Sequence, residues 1–230
     1  MAGAALALSL ASSQAQVYSA NIVGYANVVM PGNGKLVLMA NPFDDGNGNH
    51  LTNILNAALP GGNASVRSTL FYYSGGPVSI NKLASGWTAD VQLPPGVGFY
   101  VRNGAPGGGA PDLTNTFVGT VVPLVSASVT NDIPVGYSLQ GSVVPYAGNI
   151  ANLGTPGGDA NLNYGCMQSV SSGVGVSKIT YWDVVGQGPV TVNKTFSTGN
   201  WTANVSVGVG QGFWCINAGP DTNVVQVLNP

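Results

Sequence analysis

The feature that most constrains the fold of this 230-residue chain is an internal repeat. Three segments of the first half recur in the second half, in the same order and with mostly conservative changes. The matched segments are 77–82 and 189–194, 86–91 and 200–205, and 96–101 and 210–215. Self-similarity of this kind indicates two copies of one structural unit. We therefore predict two β units, at residues 16–122 and 123–230.

The composition indicates that these units are built from strands. Charged residues make up only 6% of the chain, against about 25% in a typical globular protein, and all the acidic residues are Asp. Helices rely on Glu, Lys and Arg, whereas Gly, Asn, Thr and Val suit strands joined by turns. We predict an all-β fold of two tandem homologous antiparallel β-sandwich or barrel-like units, with at most one short helix per unit. In the first unit, the helix is expected within 49–59, and the strands are expected at 35–40, 69–73, 78–82, 87–93, 98–102 and 116–122.

The ends of the chain match the junction between the two units. Residues 116–133 end the first unit and begin the second, residues 18–30 match only the second half of this junction, and residues 224–228 match only the first half. Strands left without an intramolecular partner can pair with the edge of another subunit. We therefore expect head-to-tail self-assembly into filaments. The side chains expected to carry it are Tyr18, Ile22, Tyr25, Val28, Val224, Val225, Val227 and Leu228.

The first residues are typical of an export signal. Residues 4–10 form an apolar stretch, and small residues at Ser13 and Ala15 suit a cleavage site. We predict a signal peptide at residues 1–15 and a secreted or cell-surface protein. Cys166 and Cys215 then fit one disulfide, and the alternative is two buried thiols.

Several short runs carry a resemblance to a known group. The runs lie at residues 18–25, 39–44 and 210–214. They resemble segments of uncharacterised secreted proteins of the Planctomycetes–Verrucomicrobia bacteria. The resemblance implies export and a repeated β unit, and it brings no catalytic residues with it.

Charge and residue inventory argue against several function classes. The net charge of −2 provides no basic patch for nucleic acid, and no internal apolar run approaches a membrane span. A catalytic triad would have to use His50, the single histidine, which has no counterpart in the second unit. We therefore predict a protein that is not an enzyme and assign no catalytic residues.

One loop has a weak resemblance to a calcium site. The loop contains Asp44, Asp45, Asn47 and Asn49. The last three of these stand at alternate positions, as the first three ligands of a calcium loop do. His50 stands where that loop requires Gly. The alternative is a turn in which these side chains bond their own backbone. Calcium is therefore the one candidate cofactor that the sequence offers.

Paired aromatic residues are the best candidates for a ligand or interface site. Side chains alternate between the faces of a strand, so an inward Phe99 and Phe213 leave Tyr100 and Trp214 facing outward. Tyr73 and Trp182 occupy similar places on a neighbouring strand. Outward Tyr and Trp residues stack on sugar rings or anchor protein interfaces, and the other explanation is cover by the partner unit.

Two functional hypotheses remain. The first is a non-enzymatic structural protein of the cell surface or extracellular matrix that assembles with copies of itself. The alternative is a carbohydrate-binding β-sandwich module that uses the four aromatic residues, with or without calcium, and has polysaccharide as its partner.

Overall fold

In a computed structural model, the chain is nearly all β-structured, as the sequence predicts. The structure describes residues 23–122, 128–158, 175–195, 197–219 and 223–227. In these ranges, one short helix, α1 (Leu51–Ile54), accompanies fifteen strands. The strands are β1 (Val23–Met30), β2 (Leu36–Ala40), β3 (Thr69–Tyr73), β4 (Pro77–Leu83), β5 (Gly86–Trp87), β6 (Gly98–Arg102), β7 (Leu113–Thr120), β8 (Ser128–Asp132), β9 (Gly136–Gly141), β10 (Gly148–Ala151), β11 (Val176–Asp183), β12 (Gly188–Asn193), β13 (Val205–Val207), β14 (Gly212–Asn217) and β15 (Asn223–Val227).

The largest sheet has five antiparallel strands in the order β2-β6-β3-β4-β5. Alternating apolar residues give it a buried face, on which Leu70, Ile80, Phe99 and Val101 are almost fully removed from solvent. Burying one such side chain contributes about 1.5–3 kcal/mol. These residues belong to one hydrophobic cluster. The opposite face of β6, which carries Tyr100, stays partly exposed.

A second sheet has four antiparallel strands in the order β12-β11-β14-β9. Ile179, Phe213 and Cys215 point to its buried face, and Trp201 fills the cluster beneath it. The other face of β11 and β14 is only half-buried. No sheet in the described residues closes into a barrel, and the arrangement is consistent with a β-sandwich-like fold.

The described ranges also contain three two-stranded ribbons: β1 with β7, β8 with β15, and β10 with β13. β1 pairs with β7 over eight positions, from Val23 opposite Thr120 to Met30 opposite Leu113. The even-numbered side chains of β1 from Ala26 to Met30 face the core together with Phe117. The first and last described strands of the chain therefore both pair within the chain.

The residues predicted to mediate assembly lie in different environments. Tyr25 is 75% exposed, whereas Val28 is buried in the core. Val224, Val225 and Val227 lie in β15, opposite β8. The remaining predictions fall outside the described residues, namely the signal peptide at 1–15 and the residues Tyr18, Ile22 and Leu228.

The strand predicted at residues 87–93 is wrong over most of its length. β5 ends at Trp87, and the next residues form no regular ladder. Instead, the amide of Leu51 donates to the carbonyl of Val91, and the amide of Leu93 donates to that of Asn49. This segment therefore fastens the loop that contains α1. The helix itself is a single turn, because Leu55 returns to extended backbone.

None of the helical structure in the described ranges has the length and apolar character of a membrane-crossing helix.

Candidate functional site

Strand alternation brings the four predicted aromatic residues to one place. On β11, Ile179 points into the core, while Lys178, Thr180 and Trp182 share the opposite face. On β14, Trp214 likewise faces away from the core. Tyr73 and Tyr100 lie on the corresponding face of the five-stranded sheet. All four aromatic side chains are half-buried, and each packs against a ring from the other sheet.

The four rings contact one another across the gap between the two sheets. Tyr73 and Trp214 meet edge to face with their centroids 5.6 Å apart, and Tyr100 and Trp182 meet in the same way at 5.5 Å. The indole nitrogen of Trp214 also donates a hydrogen bond of 3.0 Å to the Tyr100 hydroxyl. Edge-to-face pairs are favourable beyond their buried area. We call these four residues the aromatic cluster.

The backbone contacts between the two sheets come in matched pairs. The amide of Ala40 donates to the carbonyl of Gly210, and the amide of Gly141 donates to that of Gly96, each over 2.9 Å. Ala40 lies opposite Gly98 in its ladder, and Gly141 lies opposite Gly212. Gly96 and Gly98 are the residues that the sequence repeat matches with Gly210 and Gly212. The two sheets are thus joined by reciprocal contacts that position the aromatic cluster.

Two matched glycines are required for this close approach. A Cβ atom on Gly98 would lie 2.7 Å from the backbone oxygen of Gln140, and one on Gly212 would lie 2.6 Å from that of Met39. Both distances are below normal van der Waals contact, so a side chain at either position would push the two sheets apart.

A cavity of about 480 Å³ lies on the exposed face of the four-stranded sheet. Trp182, Trp214 and Tyr100 provide aromatic walls, and we call this space the Trp182 cavity. Its other lining residues are Tyr137, Lys178, Thr180, Pro189, Thr191, Cys215 and Ile216. The hydroxyls of Thr180 and Thr191 are 2.9 Å apart on adjacent strands. The cavity thus combines flat apolar rings with hydroxyl groups and one ammonium group, as ligand sites commonly do.

A second cavity of about 510 Å³ adjoins the first. It is lined by Tyr73 of the aromatic cluster and by residues 134–140, and the two cavities share Tyr137. The side chain of Tyr137 is 60% exposed. The two cavities therefore meet at Tyr137.

On the corresponding face of the five-stranded sheet, the Arg102 side chain packs against its neighbours. The Arg102 guanidinium lies 5.8 Å from the centre of the Phe71 ring and donates a 2.9 Å hydrogen bond to the Thr69 hydroxyl. Phe71 lies opposite Tyr100 in the five-stranded sheet. Thr180 lies opposite Trp214 at the equivalent position of the four-stranded sheet. The two faces therefore differ in chemistry, and the one on the four-stranded sheet has the open cavity.

Burial affects the pKa of Tyr100 and the hydrogen bonding of Trp182. Burial raises the pKa of the Tyr100 hydroxyl, and the hydrogen bond from Trp214 lowers it without cancelling that effect. The hydroxyl therefore keeps its proton well into the alkaline range. The indole nitrogen of Trp182 is shielded from solvent and has no hydrogen-bond acceptor among the described residues.

The loop considered for calcium binds its own backbone. Asp45 accepts hydrogen bonds from the amides of Asn47 and Asn49, each over 2.8 Å, and Asp44 accepts from the amide of Gly46. Partial burial acts to raise the pKa of Asp45, but these amides, the Asn53 side chain and the charge of His50 outweigh it and lower that pKa. The described residues include no group of three or more His, Cys, Asp or Glu side chains placed to hold a metal ion. The geometry fits the alternative of a self-bonded turn.

His50 and Asp90 have structural roles in the same region. An Asp90 carboxylate oxygen lies 3.4 Å from Nδ1 of His50, a close polar contact without hydrogen-bond geometry. The carboxylate also accepts hydrogen bonds from the amide and the hydroxyl of Thr52 at the start of α1. Asn204, the repeat counterpart of Asp90, accepts from the amide of Leu153 in the same way. Because the uncharged side chain of Asn204 accepts the same kind of backbone hydrogen bond, this interaction requires a hydrogen-bond acceptor but not a carboxylate.

The predicted disulfide remains a prediction. Cys215 is buried, and its sulfur lies 3.2 Å from the Ser138 hydroxyl oxygen. The described residues contain no disulfide bond, and Cys166 lies outside them.

Sequence reasoning found the aromatic cluster but not the rest of the cavity. Lys178 and Thr180 could have been found by counting back in twos from Trp182 along the predicted strand. Thr191 and Tyr137 depend on strand pairing, which the sequence alone does not define.

The sequence matches no protein-family model, no curated protein and no solved structure at a significant level.

Proposed function

We propose that this chain is an exported, non-enzymatic protein that binds polysaccharide at the Trp182 cavity. The observation that carries the proposal is the convergence of Trp182, Trp214 and Tyr100 around an open cavity with hydroxyl groups in its wall. Sugar rings have apolar faces that stack on Trp and Tyr and hydroxyls that exchange hydrogen bonds with Thr and Tyr.

The indole nitrogen of Trp182, which has no acceptor in the described ranges, supports a functional explanation for this residue. A buried donor without an acceptor costs about 1–3 kcal/mol. A Phe at the same position would keep the ring contact with Tyr100 and avoid this cost. A large ring surface for a ligand would offset this cost.

The proposal includes an architecture of two tandem homologous units. Its support is that β2-β6-β3-β4 and β9-β14-β11-β12 have the same strand order, with β1-β7 and β8-β15 as matching ribbons. The reciprocal hydrogen bonds of Ala40 and Gly141 add a second line of support. In this interpretation, binding resides mainly in the second unit, since Arg102 fills the matching face of the first.

The absence of enzymatic activity and of a metal cofactor is part of the same proposal. Asp45 and Asp90 use their carboxylates to hold the backbone of the loop around α1, and His50 contacts Asp90. These groups are thereby explained without a reaction.

A panel of immobilised polysaccharides tests the proposal. The protein from residue 16 onward is incubated with insoluble glucans, chitin and cross-linked acidic polymers, and the bound fraction is measured. We expect retention on at least one polymer, and loss of that retention in Trp182→Ala. Tyr25→Ala is the matched control, because it removes an aromatic ring on the exposed face of β1. Equal retention of Trp182→Ala and wild type would exclude this site.

Head-to-tail self-assembly is the second candidate, with a different observation in its favour. Val23, Tyr25, Val29 and Val118 form an exposed apolar face on the β1–β7 ribbon, each more than half exposed. It ranks second because β1 already has an intramolecular partner, β7, along all eight of its residues, so strand exchange would first have to break that ladder. Light scattering and electron microscopy, with calcium and with chelator, test it. Particles of one chain at high concentration under both conditions would rule it out.

A further inference from the structure

Among the described residues, one charged side chain, Lys178, lines the Trp182 cavity. The remaining lining residues are aromatic, aliphatic or hydroxyl-bearing, and the described wall contains no carboxylate. Asp183 is on the same strand, but five positions along, and side chains an odd number of positions apart point to opposite faces. The cavity is therefore locally positive in a chain whose net charge is −2.

Lys178, unlike Lys82, Lys194 and Arg102, has no partner among the residues that the structure describes. Lys82 donates to the carbonyl of Ala57, Lys194 lies 5.1 Å from the centre of the Trp201 ring, and Arg102 is bound to Thr69. The ammonium group of Lys178, in contrast, makes no hydrogen bond or ion pair in the part of the chain that the structure describes. Its side chain is nevertheless half-buried. A half-buried cation without a counter-ion is available to an anionic ligand.

We infer that the polysaccharide bound at the Trp182 cavity is acidic, with a carboxylate or sulfate group that pairs with Lys178. This inference rests on the proposed function and names its ligand class. In the ladders, Lys178 lies opposite Ile216, and Thr180 lies opposite Trp214. Lys178 is thus two residues along β11, on the same face, from the residue that lies opposite Trp214. A sugar stacked on Trp214 would carry a ring substituent toward Lys178.

Charge-assisted hydrogen bonds of this kind are short and strong, and they weaken as salt screens them. Binding to an acidic polymer should therefore fall as ionic strength rises. Binding through ring stacking alone should be nearly independent of salt.

The test measures the affinity of the protein for polygalacturonate, a sulfated galactan and a neutral galactan, at low and high salt. In Lys178→Met, which keeps the apolar stem, we expect affinity for the acidic polymer to fall about tenfold, as loss of a charged hydrogen bond does. Lys178→Arg should retain most of it. Lys35→Met is the matched control, because Lys35 is exposed in the turn before β2 and does not line the cavity. A larger effect on polygalacturonate than on sulfated galactan assigns the group as carboxylate, and the reverse assigns it as sulfate.

The possible failures are distinguishable. If Trp182→Ala abolishes binding but Lys178→Met binds acidic and neutral polymers as wild type does, the acidic ligand is wrong and the polysaccharide site stands. If Lys178→Met and Lys35→Met lose affinity equally, the effect is one of net charge and the role of Lys178 is wrong. If wild type binds no polymer, both proposals fail.

Discussion

The indole nitrogen of Trp214 donates a 3.0 Å hydrogen bond to the hydroxyl of Tyr100, which stands 114 positions earlier in the chain. This spacing equals the offset of the sequence repeat, so the bond joins two residues that the repeat matches. It lies where the two largest sheets meet and beside the cavity that we propose as the ligand site. Docking of the sheets and formation of the site are therefore parts of one arrangement.

A double-mutant cycle should detect this bond. Tyr100→Phe and Trp214→Phe should each lower the free energy of unfolding, and the two changes should be coupled by about 0.5–1.5 kcal/mol, as a net hydrogen bond is. Urea unfolding of the four proteins measures the coupling. Tyr25→Phe, on the exposed face of β1, is the control and should leave stability unchanged. Additive effects of Tyr100→Phe and Trp214→Phe would contradict the bond.

Stability should fall in alkaline solution because of Tyr100. Its pKa is raised by burial, so above about pH 10 the unfolded chain releases this proton while the folded chain still holds it. The free energy of unfolding should then decrease as pH rises above the unfolded pKa. Urea unfolding at neutral and alkaline pH should show a smaller decrease for Tyr100→Phe than for wild type. Identical slopes would show that Tyr100 has no shifted pKa.

Gly212→Ala should loosen the junction between the sheets. Its Cβ would lie 2.6 Å from the backbone oxygen of Met39, which cannot move alone. Overpacking of this kind costs about 1–3 kcal/mol, or a few degrees in Tm for a chain of this size. Gly76→Ala is the matched control, since its Cβ would meet nothing within 4 Å. Calorimetry that finds both variants equally stable would refute the close approach.

Stability should be little affected by loss of the Asp90 charge but should fall when the hydrogen-bond acceptor at this position is removed. Asp90→Asn retains the oxygen that receives the Thr52 amide, as Asn204 does for Leu153, and should change stability by less than about 0.5 kcal/mol. Asp90→Ala should cost about 1 kcal/mol, as loss of a helix-start acceptor does. Thermal unfolding compares the two. A marked loss in Asp90→Asn would instead assign importance to the carboxylate charge.

Much of the strand content was predictable because alternation and turn residues act locally. Outward placement of Tyr100 and Trp214 followed from the period of two. The extended segment predicted after Trp87 failed because its backbone groups bond the distant Asn49 and Leu51, which no local pattern indicates.

The alignment of the repeat was also shifted at one strand. Counted from the preceding prolines, Pro31 and Pro134, Leu36 aligns with Leu139 in the sequence. The ladders instead place Leu38 opposite Tyr100 and Leu139 opposite Trp214. The turns before these strands differ in length by two residues, a change that preserves which face each side chain occupies. The face was therefore predictable, but the partners across the sheet, such as Thr191 for Thr180, were not.

Affinity electrophoresis of wild type, Trp182→Ala and Tyr25→Ala through gels that contain soluble acidic or neutral polysaccharides tests the polysaccharide site most directly. We predict that at least one polymer retards wild type and Tyr25→Ala, and that Trp182→Ala migrates as it does in a gel without polymer. Circular dichroism of Trp182→Ala, and the ring-preserving variant Trp182→Phe, separate lost binding from lost folding. Equal retardation of wild type and folded Trp182→Ala, or no retardation of wild type by any polymer, would contradict binding at the Trp182 cavity.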